Sequence, residues 1–104
     1  MKSLQVRLHI PADEWKDYSD LMVLRSGAGW YVGTLHTAPE DGFITEPGSR
    51  DTGYFATVEI AEKVLAVMEI IWESHGDETA LLVFSTWLQD NKLDPHCVGY
   101  RIDP

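Results

Sequence analysis

The sequence predicts an α+β domain: an antiparallel sheet of four to five strands covered on one face by a long amphipathic helix over residues 57–74, with a second helix at about 78–91. Three observations lead there. The first half of the chain holds short β-prone runs punctuated by Gly and Pro turns. The second half holds a long stretch of helical periodicity. A chain of 104 residues is enough for one core but not two, so 1–104 is read as a single compact domain.

Taken in order, Leu4, Val6, Leu8 and Ile10 alternate with Gln5, Arg7 and His9, the period of an opening strand that Pro11 closes. Ala12 to Leu21 reads as a short helix, because Trp15 and Tyr18 share a helical face and Pro11 suits a first turn. Leu21 to Leu24 and Trp30 to Leu35 form a hairpin around Arg25-Ser26-Gly27-Ala28-Gly29. Pro39 to Gly42 is a turn, Phe43 to Thr45 a short strand, Glu46 to Gly53 a polar loop, and Tyr54 to Ala56 a closing strand.

The helix over 57–74 has the fullest signature. Thr57 serves as N-cap, Glu59 and Glu62 lie near the positive end of the helix dipole, and Gly76 stands past the end. Ile60, Ala61, Val64, Leu65, Val67, Met68, Ile71 and Trp72 fall within an arc of roughly 160°, the stripe of a helix laid on a sheet. Glu59, Glu62, Lys63, Ala66, Glu69 and Glu73 form the other face, and Ile70 projects into the middle of it. Between Asp77 and Asn91 a buried strand competes with a helix; Leu81, Phe84 and Leu88 at spacings of three and four favour the helix, with Asp77 as its cap. Cys97 to Ile102 reads as a final strand with Val98, Tyr100 and Ile102 on one face.

Seventeen carboxylates against eight Lys and Arg give a formal charge of −9. Residues 1–36 carry equal numbers of each sign, so the whole surplus falls on residues 37–104. Such a field repels nucleic-acid backbones and anionic membranes and draws in cationic partners. No apolar run approaches the roughly 20 residues that cross a bilayer, and Met1 to Ile10 lacks the apolar core of a signal peptide, so the expected location is the cytoplasm. A single cysteine, Cys97, excludes an internal disulfide.

Catalytic and metal signatures are missing. Neither Asp94-Pro95-His96-Cys97 nor His75-Gly76-Asp77-Glu78 has the spaced ligand pairs of a zinc site, and adjacent His96 and Cys97 would point to opposite sides if both lay on a strand. Ser26-Gly27-Ala28-Gly29 joins two strands and lacks the Lys-Ser/Thr of a phosphate loop. No cofactor is implied. In size, charge and lack of catalytic signatures the chain is similar in type, though in no particular residues, to small accessory proteins of bacteria, phages and plasmids.

These features point to a non-enzymatic protein-binding module, an inhibitor or adaptor whose partner is a protein with a basic surface. Its sharpest form is a nucleic-acid mimic, an acidic face occupying a cationic groove. The expected contact residues are Glu59, Glu62, Glu69, Glu73 and Ile70 on the helix and Arg50 in the polar loop. Direct nucleic-acid binding and membrane binding are not expected; self-association is open. The alternative is a small-molecule binder or enzyme with a pocket between helix and sheet, using His36, His75 or His96.

Overall fold

The computed structural model describes residues 1–38 and 44–93. Among them the element order is α1 (Leu4–His9), a 3-10 turn (Ala12–Asp17), β1 (Met22–Ser26), β2 (Gly29–Thr37), β3 (Thr45–Arg50), α2 (Val58–Ser74) and α3 (Asp77–Asp90). The α+β class stands, with a sheet of three antiparallel strands in the order β1-β2-β3 where four to five were expected. The predicted turn at Pro39 to Gly42, residue Phe43 and the predicted strand from Cys97 to Ile102 lie outside the described residues.

The β1–β2 hairpin forms, with Val23 opposite Val32, but its turn is tighter than expected: Arg25, Ser26 and Gly29, read as loop, pair within the strands and leave Gly27-Ala28 as the connection. Gly29 closes the turn at φ 137°, a conformation open to glycine, and a Cβ there would come within 2.7 Å of the Phe55 carbonyl oxygen. Residues Thr45 to Arg50, expected as strand end and loop, form β3 instead. The pairing is Thr34 with Ser49 and then Leu35 with Pro47, which leaves Gly48 as a bulge under the Tyr18 ring. The expected closing strand at Tyr54 to Ala56 reduces to one bridge, in which Trp30 and Phe55 exchange backbone hydrogen bonds of 2.9 and 2.6 Å.

The chain start departs furthest from the alternation pattern. Leu4 to His9 is a helix, capped by the Ser3 hydroxyl, which accepts from the Val6 N–H at 3.2 Å. Leu4, Gln5 and Val6 are buried together while Leu8 stands exposed, an arrangement no strand produces. After Pro11 the predicted helix is a shorter 3-10 turn, and the Trp15 indole donates back to the Ile10 carbonyl at 2.8 Å.

Helix α2 keeps its expected cap, Thr57, whose hydroxyl accepts from the Ile60 N–H. Ala61, Val64, Met68 and Ile71 are buried, joining Leu21, Val32 and Phe55 from the sheet and Ala80, Phe84 and Leu88 from α3 in one core. Helix α3 thus packs against α2 in this core, and the helical alternative for 77–91 holds. Its N-cap is Gly76, with Asp77 the first helical residue instead of the cap. Past its last residue, Asp90, the chain turns off at Lys92, φ 58°, where the Leu93 N–H returns to the Leu88 carbonyl and the Lys92 N–H to the Gln89 carbonyl.

Because Met68 is the buried centre of the α2 stripe, Met68→Ala is expected to lower unfolding free energy by about 2–5 kcal/mol and Glu69→Ala by less than about 0.5 kcal/mol. Urea melts of the two variants check this, and equal losses would mean that α2 is turned the other way.

Candidate functional site

The exposed side of α2 is built by the periodicity that buries the other side. Glu59, Glu62, Glu69 and Glu73 all reach solvent, and Ile70 among them is 64% exposed. Two shallow hollows of about 300 and 510 Å3 adjoin along this face and share Met1, Glu69 and Glu73. The first is completed by Lys2, Arg7, Trp72 and Asp77, the second by Ala66 and Ile70. The start of the chain thus walls the acidic face of α2.

Of the cations in this wall, the amino terminus lies 3.9 Å from Asp20, Lys2 lines the first hollow with Glu69 and Glu73, and Arg7 is engaged by Asp77. The Arg7 guanidinium donates to the Asp77 carboxylate at 2.8 Å, and the Trp72 indole donates to the other carboxylate oxygen at 3.1 Å. The hydrogen bond from Arg7, against a smaller opposing effect of burial, holds the Asp77 carboxyl below its ordinary range. Among the described residues no ion pair reaches Glu59, Glu62, Glu69 or Glu73. The face carries net negative charge around an apolar side chain.

Arg50 is not part of this face. Ser49 points toward α1, so Arg50, the next residue along β3, points to the opposite side of the sheet. There its guanidinium donates to the Thr52 carbonyl at 2.9 Å and lies 4.8 Å from the centre of the Tyr54 ring. The histidines are scattered in role: His36 packs on Tyr18 with ring centres 4.6 Å apart, His75 is exposed at the end of α2, and His96 lies outside the described residues. Among the described residues no three His, Cys, Asp or Glu side chains come together as metal ligands.

Asp51, within the stretch expected as a polar loop, is 2% exposed. Its carboxylate accepts from the Ser3 hydroxyl at 2.7 and 2.9 Å, from the Ser49 hydroxyl at 3.1 Å and from the Gln5 N–H at 3.3 Å. Ser49 and Thr34 share a further hydroxyl bond at 2.7 Å. Each hydroxyl has one proton, so the chain runs from Thr34 to Ser49 to Asp51, with Ser3 donating from the other side. Burial raises the Asp51 carboxyl above its ordinary value, and the bonds from Ser3, Gln5, Ser49 and Leu4 oppose that rise. This carboxylate is a structural group and is withdrawn from any partner.

Comparison with known proteins leaves these residues to be read on their own: no protein-family model, curated protein or solved structure matches the chain. No helix among the described residues is long and apolar enough to cross a membrane.

The buried carboxylate has a signed consequence. The native state raises the Asp51 pKa, so it holds the proton more readily than the unfolded chain, whose value is near 3.8. The contribution of Asp51 to stability is therefore greatest below that value and declines as pH rises through the native pKa. Relative to Asp51→Asn, the wild type is expected to lose stability as pH is raised from about 3.5 to 7. Paired urea melts across that range check it; a difference that is flat or opposite in slope contradicts the raised pKa.

Proposed function

We propose that the chain is a non-enzymatic protein-binding module that engages a basic partner through the outward face of α2. The observation that carries this reading is Ile70, 64% exposed on the edge of a hollow rimmed by Glu69 and Glu73. A partner segment that pairs Lys or Arg with a bulky apolar side chain meets both features. Glu59 to Glu73 spans about 21 Å of helix, and its four carboxylates compare with about six phosphates on one strand of DNA over that length. Nucleic-acid mimicry is the narrower form of the proposal. The isoleucine in the middle of the row, which a phosphate backbone lacks, favours an apolar protein contact. The small-molecule alternative draws no support from the α2–sheet contact, where Val32, Val64 and Met68 are fully packed.

The test is capture of partners from the source cell at low and high salt, with wild type and with Glu62, Glu69 and Glu73 all changed to Lys. A specific partner is expected to be held at low salt, weakened at high salt and lost in the triple variant, while circular dichroism stays unchanged because exposed charge substitutions seldom alter stability by more than about 0.5 kcal/mol. Undiminished capture by the triple variant overturns the assignment of this face.

A further inference from the structure

Helix α3 has an outer side that the core does not use. From Thr79 to Gln89 it carries no charged residue, in a chain of net charge −9. Ala80, Phe84 and Leu88 point into the core, and on the far side Leu82 is 72% exposed, above every other large apolar side chain of the described residues. A hollow lies on each side of Leu82: one of about 510 Å3 lined by Glu78, Thr79, Leu81 and Ser85, the other of about 390 Å3 lined by Val83, Thr86, Trp87 and Asp90. A projecting leucine between two hollows is the surface of a knob-and-hole helix contact.

The charges at the two ends of this stripe say what fits it. Glu78 sits at the start of α3, and Lys92 just past its end, seven residues before and seven after Ser85. Lys63 adds a second cation near that end, its ammonium 6.0 Å from the centre of the Trp87 ring. Lys92 holds a left-handed backbone position that favours glycine, so a cationic side chain stands where the backbone alone selects none. An antiparallel second copy crossing at Ser85 brings Glu78 of each chain to Lys92 of the other, sets each Leu82 toward a hollow of the other, and opposes the two helix dipoles. Such an interface is self-complementary, with Asp90, which lines the second hollow, at the end that carries Lys92 and Lys63.

We propose that the outer side of α3 is a two-fold self-association surface whose occupant is α3 of a second copy, antiparallel and centred near Ser85. It is independent of the α2 face and leaves that face free.

Sedimentation equilibrium over about a hundredfold range of concentration, wide enough to bracket weak association, reads the oligomeric state. Wild type is expected to form dimers, and Leu82→Glu to remain monomeric with unaltered circular dichroism. Glu78→Lys and Lys92→Glu, tested singly, each turn two attractive contacts into repulsive ones and weaken the dimer by roughly tenfold. The double variant restores both contacts and recovers association, a rescue that a merely structural role for either residue does not produce. Wild type monomeric throughout, a dimer that survives Leu82→Glu, or single charge variants without rescue each overturn the proposal; the last two place another occupant on this helix.

Discussion

The buried carboxylate of Asp51 is the constraint around which the start of the chain is arranged. It is 2% exposed and is satisfied by hydroxyls and backbone N–H groups, so its stability rests on every donor being in place. Ser3 is needed twice, once to donate to Asp51 and once to accept from the Val6 N–H at the cap of α1. Ser49 and Thr34 must meet in register across β2 and β3 for the second hydroxyl to reach the carboxylate. One side chain therefore ties the first helix to the edge of the sheet. Because Arg7 also ties that helix to Asp77 at the start of α3, the position of the wall along the acidic face follows from these two polar contacts.

This dependence explains why the chain start was misread. Leu4, Val6, Leu8 and Ile10 alternate as a strand does, but one run of seven residues is too short for periodicity to decide, and the carboxylate that satisfies the N–H groups of the first turn lies 46 residues beyond Gln5. The available local signal was Ser3 ahead of the run, a good helix cap. Residues 45–50 failed the other way. Pro47 and Gly48 resemble a turn, yet both are tolerated where an edge strand bulges. Helix α2 was legible throughout because cap, periodicity and burial agree, down to the exposed Ile70. Of the candidate site, the helix residues could be placed from spacing alone. Arg50 could not, since which side of the sheet it faces depends on a strand that the pattern concealed.

Helices α2 and α3 share one core but present different outer surfaces. The outer side of α2 is acidic with one isoleucine in its midst, and that of α3 is uncharged with one leucine prominent. Each helix buries a single stripe in the common core and leaves the rest of its circumference to solvent, where α2 is filled with charge and α3 from Thr79 to Gln89 carries none. Among the described residues the buried stripe of α3 is Ala80, Phe84 and Leu88, and Leu82 stands outside it.

Pro47 gives the sheet a direction of growth. The Leu35 N–H and carbonyl are both taken by Ser19, at 2.9 Å each, on the side of β2 away from β3. Residues directly opposite in an antiparallel pair either exchange hydrogen bonds or both turn their backbone groups away from each other, so the nitrogen of Pro47, opposite Leu35, faces the outer edge of β3. That edge lacks a donor where the bulge at Gly48 already bends it, and a further strand finds no regular ladder to extend. Stacking of copies edge to edge into a continuous fibre requires two competent edges on every molecule, and β3 withholds one of them.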